Sequence, residues 1–121
     1  MKRRRILLVD DEEDLLEEIA ECMERLGYDV TTARDVDSAI CEVDADPFDA
    51  VVTDMRMPGQ DGLVLLRHLG STRSNARVII ITGHWEDPLD EDTVELDYRM
   101  LKKPFTAAQL EQELERLLAA R

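Results

Sequence analysis

The sequence predicts an α/β fold: a single doubly wound domain in which five parallel strands lie between two layers of helices. Short apolar segments alternate with amphipathic segments along the chain, which is the pattern of repeated strand–helix units. At 121 residues the chain is long enough to bury the core of one domain. Right-handed crossovers between parallel strands place helices on both faces of the sheet, which gives a (βα)5 three-layer sandwich.

Five segments are predicted to be strands because they are short, mostly apolar and bounded by turn residues. They cover residues 6–9, 28–33, 50–53, 78–81 and 99–102. The first, third and fourth are continuous apolar runs, which is typical of strands buried on both faces. The last has mixed polarity, which predicts a strand at the edge of the sheet.

Helical spacing of apolar residues follows the first three strands. A helix after Asp11 is predicted to end at Gly27, a residue that readily forms a left-handed C-cap. Asp35 is the predicted N-cap of a second helix that continues to about Val43. A third helix is rich in leucine and ends near Gly70.

The last two helices differ in the strength of their signals. Residues 84–98 are acidic and hold few apolar residues, so Pro88 is expected to begin only a short, poorly anchored helix. Thr106 and Gln109 have the spacing of a capping box at the start of the final helix. The apolar residues of that helix are Leu110, Leu114, Leu117 and Leu118.

The composition excludes two classes of partner. The chain carries a formal net charge of -13 at pH 7, whereas direct binding to nucleic acid or to an anionic membrane needs a basic surface. No apolar run reaches the roughly 18 residues that span a bilayer. Cys22 and Cys41 have no C-x-x-C spacing, which favours two buried or half-buried thiols in a reducing compartment over a disulfide or a metal site. We therefore expect a cytoplasmic protein.

Polar residues follow four of the predicted strands. They are Asp10 and Asp11, Asp54, Thr82 and Lys103. Because the carboxyl ends of parallel strands meet at one edge of the sheet, where ligands bind in open α/β sheets, we expect these side chains to share one pocket.

Each of these groups has a chemical use in such a pocket. Three clustered carboxylates favour a hard divalent cation, and a few carboxylates with waters suit Mg²⁺. The carboxylate of Asp54 can act as a nucleophile towards a phosphoryl group and form an acyl phosphate. The ammonium of Lys103 can pair with phosphoryl oxygens. The hydroxyl of Thr82 can donate a hydrogen bond to the same group, which makes Thr82 a sensor of its attachment.

Four motifs in order make the chain similar to the response-regulator receiver domain of two-component signalling, over nearly its whole length. The motifs are Asp10-Asp11, Asp54-Met55-Arg56-Met57-Pro58-Gly59-Gln60-Asp61-Gly62, Thr82-Gly83 and Lys103-Pro104-Phe105. The family is CheY-like, and its flavodoxin-like strand order is 2-1-3-4-5.

The resemblance implies a function and a set of site residues. Asp54 would receive a phosphoryl group from a histidine kinase or a phosphotransfer protein. Asp11, Asp54 and the main-chain carbonyl of Arg56 would hold Mg²⁺, and Asp10 would assist directly or through water. Lys103 would bridge to the phosphoryl group, and the peptide bond after Lys103 would be cis. Such a protein is a signalling switch that catalyses only its own phosphorylation and dephosphorylation.

The switch residues depart from the family pattern. The family usually carries Tyr or Phe three residues before the lysine, where this chain has Met100. Tyr98 is the nearest aromatic residue. Either the loop contains one residue of slack, or the coupling between Thr82 and the aromatic residue is altered.

The output of the chain is expected to be protein contact. The interpretation assigns residues 1–121 to one receiver domain without an output domain, and its downstream protein is not identified by the sequence. Residues 84–98, which cover the family's usual partner surface, lack its common Ala-Gly pattern. Arg56 and His84 flank the site at positions that tune the dephosphorylation rate in the family.

Three other interpretations compete with the receiver. A phosphorylation-independent adaptor of the same fold is favoured by Met100 but disfavoured by the complete set of acids, threonine and lysine. A phosphatase-like hydrolase needs a D-x-D pair at its nucleophile, which neither Asp10 nor Asp54 provides. A flavin carrier needs a Ser/Thr/Gly-rich phosphate loop after the first strand, where this chain has acids.

Overall fold

The structure, a computed structural model, describes residues 3–57, 60–72, 76–83 and 98–119. Five parallel strands form its main sheet, in the order β2-β1-β3-β6-β7. These strands are β1 (Arg5–Val9), β2 (Asp29–Ala33), β3 (Ala50–Asp54), β6 (Arg77–Thr82) and β7 (Tyr98–Lys102). Counted along the chain, this is the order 2-1-3-4-5, so the predicted fold and topology are confirmed.

Four helices cover the two faces of the sheet in the described part of the chain. They are α1 (Glu13–Arg25), α2 (Val36–Ala45), α3 (Gly62–Ser71) and α4 (Ala107–Ala119). Helices α1 and α4 pack on one face, and α2 and α3 pack on the other. The predicted helix within residues 84–98, with Pro88, His84 and Trp85, falls outside the described residues, except that Tyr98 begins β7.

Alternation of side chains along the strands builds a core on each face, because successive residues point to opposite sides of a strand. The α1/α4 core consists of Ile6, Leu8, Leu16, Ile19, Met23, Ala50, Val52, Ile79, Ile81, Leu110, Leu114, Leu117 and Leu118. The α2/α3 core consists of Leu7, Val9, Ala33, Val36, Ala39, Phe48, Val51, Leu65, Leu66, Leu69, Ala76, Val78 and Ile80. Strand β3 lies at the centre, and all five of its residues are buried.

The predicted helix caps are confirmed. The Asp35 carboxylate accepts a hydrogen bond of 2.7 Å from the backbone N–H of Ser38. At the start of α4, the Gln109 backbone N–H donates to the Thr106 hydroxyl, and the Gln109 side chain accepts from the Thr106 backbone N–H. Gly27 has φ of +100°, a conformation that L side chains rarely adopt. These caps fix where each helix meets the sheet.

Two strands extend one residue further towards the carboxyl edge than predicted. Asp54 is the last residue of β3, and Thr82 is the last residue of β6, because the parallel register continues through Asp54↔Ile81 and Thr82↔Lys102. A small hairpin of β4 (Arg56–Met57) and β5 (Gln60–Asp61) follows β3. Two-residue strands carry no periodic signal, so the sequence predicted only a turn there.

Truncation of a buried leucine of α3 tests the packing of the α2/α3 core. Leu66 is fully buried, so we expect Leu66→Ala to lower the free energy of unfolding by about 2–5 kcal/mol. Val64, on the same helix, is 48 % exposed, and Val64→Ala should change that free energy by less than about 0.5 kcal/mol. Urea denaturation of both variants makes the comparison, and equal losses would contradict the assigned packing.

Candidate functional site

The polar residues predicted to meet at the carboxyl edge are brought together there. Strand β1 is in register with β3 up to Val9↔Thr53, so Asp10 lies next to Asp54 across the two strands. Asp54 is the register partner of Ile81, and Thr82 is one residue beyond it. Adjacent strands lie about 4.8 Å apart, so Asp10 and Asp54 lie side by side at this edge, with Thr82 on the neighbouring strand.

Strand alternation divides the polar residues between the two sides of the sheet edge. Leu8, Val52 and Leu101 contact the α1/α4 core, and the residues two positions further along are Asp10, Asp54 and Lys103. Asp54, the only one of the three inside a described strand, therefore projects to the α1/α4 side. Lys103 and Asp10 lie there with it, because Nζ of Lys103 is 2.8 Å from Asp54 and 3.5 Å from Asp10. Thr82 has the alternation of Ile80 and projects to the opposite side, towards α2 and α3.

Three carboxylates form a compact cluster at this edge. One oxygen from each of Asp10, Asp11 and Asp54 lies within 4.8 Å of the others. Asp10 is 3 % exposed and Asp54 is 6 % exposed, whereas Asp11 is half-buried. Such proximity is unfavourable for ionised acids, because like charges repel strongly where water is scarce.

Lys103 supplies the positive charge of the cluster. Its Nζ donates a hydrogen bond of 2.8 Å to Oδ2 of Asp54 and lies 3.5 Å from Oδ2 of Asp10. Burial lowers the pKa of Lys103, but the hydrogen bond to Asp54 and the charges of Asp10 and Asp54 outweigh it and raise the pKa. Lys103 therefore remains an ammonium at neutral pH.

The surroundings of Asp10 raise the pKa of its carboxyl group. Burial raises its pKa, and the nearby Asp54 carboxylate adds to the rise. The backbone N–H of Glu12, which donates to Oδ1 of Asp10 at 3.0 Å, and the charge of Lys103 only partly oppose this. Oδ2 of Asp10 is buried and has no hydrogen-bond partner among the described residues.

The cluster has the properties of a site for a hard divalent cation. Its donors are all carboxylate oxygens, and one of them, Oδ2 of Asp10, lacks a hydrogen bond within the described chain. Mg²⁺ binds oxygen ligands, keeps several waters and needs only a few carboxylates. A cation would also relieve the repulsion that raises the pKa of Asp10. The residues present therefore fit Mg²⁺.

Backbone contacts hold the end of β3 in place. The Met55 N–H donates to the Ile81 carbonyl at 3.1 Å, and the Met55 carbonyl accepts from Gly62 at 2.9 Å. Between them, Arg56 pairs with Asp61 in the β4–β5 hairpin. The carbonyl of Arg56, predicted as a metal ligand, thus belongs to a segment that backbone hydrogen bonds hold at Met55 and at Gly62.

The β7 register determines where the predicted switch residues lie. Val78 pairs with Tyr98 and Ile80 pairs with Met100 without an interruption up to Lys102. Met100 is half-buried against the α2/α3 core on the side of Thr82, whereas Tyr98 is 38 % exposed at the far end of the strand. Strand β7 therefore contains no extra residue, and Met100 is the residue three positions before Lys103.

An open groove of about 400 Å³ adjoins Lys103 and was not predicted from the sequence. It is lined by Glu12, Leu15, Lys103, Pro104 and Phe105. The Lys103–Pro104 peptide bond is cis, as the resemblance implied, and the Lys103 N–H donates to the Thr82 carbonyl at 2.9 Å. Leu15 has the helical spacing of a core residue, and periodicity cannot distinguish a core residue from one that lines a groove.

Neither cysteine is bonded to a partner, and the described helices are not of a membrane-spanning kind. Both are free thiols, as predicted; Cys22 is half-buried, but Cys41 is exposed, so the prediction that both are at least half-buried is wrong for Cys41. Within the described ranges, no helix combines the length and apolar character that a bilayer crossing requires.

Comparison with known proteins gives consistent matches. The sequence profile of the "Response regulator receiver domain" family matches residues 6–115. The chain is 32 % identical over 118 residues to the response regulator receiver protein CpdR of Brucella abortus, covering 97 % of this chain and 98 % of CpdR. It is 37 % identical over 120 residues to the C4-dicarboxylate transport transcriptional regulatory protein DctD of Pseudomonas aeruginosa, covering 96 % of this chain but 25 % of DctD. The chain thus spans about a quarter of DctD.

Solved structures agree with these matches. A response regulator receiver protein from Sinorhizobium medicae superposes with a TM-score of 0.85 at 32 % identity, covering 98 % of this chain and 97 % of that one. The chemotaxis protein CheY4 of Vibrio cholerae gives a TM-score of 0.84 at 22 % identity, covering 97 % of this chain and 100 % of that one, a likeness of fold alone.

Neutralisation of Asp10 should stabilise the chain in the absence of divalent cations. A carboxyl group whose pKa is raised by folding contributes stability that is lost as the pH rises through its folded pKa. Asp10→Asn removes this loss, so we expect the melting temperature at pH 7 to rise by about 4 °C, the shift that roughly 1 kcal/mol gives in a domain of this size. The gain should shrink as the pH falls towards the ordinary pKa of an aspartate, because protonation of folded wild type then removes the same charge.

The matched control is Glu18→Gln, which removes one negative charge from the exposed face of α1. The change in melting temperature of Glu18→Gln reports the effect of removing one negative charge from the chain, and we expect this change to be small. Thermal denaturation in EDTA from pH 4 to 8 provides the measurement. A lower melting temperature for Asp10→Asn at pH 7 would contradict the assigned electrostatics.

Proposed function

Because this chain belongs to the response regulator receiver family, we propose that it is a switch turned on by phosphorylation of Asp54. The family is a set of signalling switches rather than classical enzymes. The observation that carries the proposal is the position of Asp54: its carboxylate is 2.8 Å from the Lys103 ammonium, within a cluster of three acids.

The proposed reaction transfers a phosphoryl group from a phosphohistidine to Asp54. One Asp54 carboxylate oxygen attacks phosphorus as the bond from phosphorus to the imidazole nitrogen breaks, and the imidazole nitrogen takes up a proton. The product is an acyl phosphate on Asp54. A carboxylate can attack because it is already ionised, so the site needs no general base.

Residues around Asp54 have separate roles in this proposal. Lys103 neutralises the phosphoryl oxygens as charge develops on them, which is its use as a point charge. Mg²⁺ would be held by Asp11, Asp54 and the carbonyl of Arg56, with Asp10 assisting, and it supplies charge neutralisation that lets an anionic donor approach three acids.

Thr82 is proposed to sense the phosphoryl group and to pass the signal on. Its side chain projects to the α2/α3 side, where Met100 also packs. A hydrogen bond from the Thr82 hydroxyl to the phosphoryl group forms only in the phosphorylated state. It would shift an existing equilibrium of this side of the sheet towards the active form. Met100 replaces the usual aromatic residue in that step, and Tyr98 is too far along β7 to take its place without a change of register.

The proposed partners are proteins. The phosphodonor is a histidine kinase or a phosphotransfer protein, which would approach the carboxyl edge of the sheet, where Lys103 contacts Asp54. Downstream, the switch acts on a protein or an output domain, because a charge of -13 disfavours direct contact with nucleic acid or anionic lipid. In this proposal residues 1–121 form one receiver unit. The proposed location of that unit is the cytoplasm.

Phosphorylation can be tested by intact mass after incubation with acetyl phosphate. Wild type should gain a single phosphoryl group in Mg²⁺ and almost none in EDTA, whereas Asp54→Asn should gain none in either. Asp49→Asn is the matched control, since Asp49 lies at the opposite end of β3 and accepts a hydrogen bond from the Arg5 N–H. It should be phosphorylated like wild type.

A wild-type chain that gains no phosphoryl group, either from acetyl phosphate or from a phosphorylated histidine donor, would overturn the proposal. The phosphorylation-independent adaptor would then be the better description. An adduct that persists in Asp54→Asn would assign the reaction to another residue.

A further inference from the structure

The start of α3 lies against the backbone of the proposed phosphoacceptor. A Cβ atom at Gly62 would lie 2.6 Å from the Asp54 carbonyl oxygen, 3.0 Å from Cα of Met55 and 3.2 Å from the Met55 carbonyl oxygen. Real Cβ contacts are essentially never shorter than 3.0 Å. All three neighbours are backbone atoms, so none can move aside by rotating a side chain.

The same residue is tied to the site by a hydrogen bond. The Gly62 N–H donates to the Met55 carbonyl at 2.9 Å and closes a loop that begins directly after Asp54. Within that loop, Arg56 pairs with Asp61. The position of Gly62 therefore constrains both Asp54, the proposed acceptor, and Arg56, whose carbonyl is the proposed metal ligand.

We propose that Gly62 is a positioning residue for the site: the absence of a side chain lets α3 approach closely enough to fix the Asp54 and Arg56 backbones. The inference rests on the proposed function, because it assigns Gly62 a role in Mg²⁺ binding and phosphoryl uptake. A methyl group at this position forces the α3 start and the β3 end apart by several tenths of an ångström. Metal sites respond steeply to such displacements in the residues that support their ligands.

The expected result for Gly62→Ala is a loss of Mg²⁺ affinity of about tenfold or more. At subsaturating Mg²⁺, phosphorylation by acetyl phosphate should slow in proportion. Isothermal titration with MgCl₂ measures the affinity directly, and circular dichroism verifies that the variant is folded at the titration temperature.

Two control variants separate positioning from loss of stability. Gly70→Ala adds the same methyl group in the same helix, where nothing lies within 4 Å of the new Cβ, and should bind Mg²⁺ like wild type. Leu66→Ala removes a large buried side chain of α3 without touching the site, so it should lower stability and leave Mg²⁺ affinity intact. If Gly62→Ala is unfolded in buffer, the three variants are compared in sucrose, which favours the folded state.

The outcomes distinguish this inference from the proposed function. If wild type binds Mg²⁺ and the Mg²⁺ affinity of Gly62→Ala is within about twofold of the wild-type value, the proposed role of Gly62 is overturned. The proposed function is not affected by that result. A parallel loss in Leu66→Ala would also overturn it, because destabilisation would then be the cause. Wild type that binds no Mg²⁺ and takes up no phosphoryl group would overturn both.

Discussion

The hydrogen bond between the Lys103 ammonium and the Asp54 carboxylate organises the carboxyl edge of this sheet. Three carboxylates share that edge, and Lys103 is the cation that the structure places among them. Among the described side chains one ammonium faces three carboxylates, and burial together with the charge of Asp54 raises the pKa of Asp10. Within the described residues the cluster thus holds a charge imbalance, an excess of negative charge, which a divalent cation would relieve. Clustered, buried acids of this kind lower the stability of the fold, and such a cost is common at functional sites.

Backbone contacts elsewhere in the fold hold the strand ends in place, and with them the clustered acids. Strand β3 is buried on both faces, and its end is fixed by hydrogen bonds from Met55 to Ile81 and from Gly62 to Met55. Because successive side chains along a strand point to opposite faces, the polar residues lie on two sides of the sheet. The acids and Lys103 project to the α1/α4 side, whereas Thr82 and Met100 project to the side of α2 and α3. Asp54 and Thr82 are on the neighbouring strands β3 and β6, so residues of both sides meet at this edge.

Much of this architecture follows from the sequence, because strand ends in a parallel sheet meet whatever the loops do. Asp10, Asp54, Thr82 and Lys103 were placed together on that argument alone. The groove beside Lys103 and the close approach of Gly62 were not predicted, since both depend on the packing of α1 and α3 against loops rather than on periodicity. Gly62 carried one signal, a glycine at the start of a leucine-rich helix, where glycine is a poor helix former. The predicted helix within residues 84–98 lies outside the described residues and stays a prediction.

The most direct test of the charge imbalance is the free energy of unfolding at pH 7 as a function of Mg²⁺, measured with urea at constant ionic strength. A cation that binds only the folded site adds stability that rises by about 1.4 kcal/mol for each tenfold increase in Mg²⁺ above the dissociation constant. The account predicts this dependence for wild type and its loss when Asp54 is replaced by Asn. Constant ionic strength matters because a chain of charge -13 is stabilised by any salt through screening. An unfolding free energy that does not change with Mg²⁺ would contradict the account.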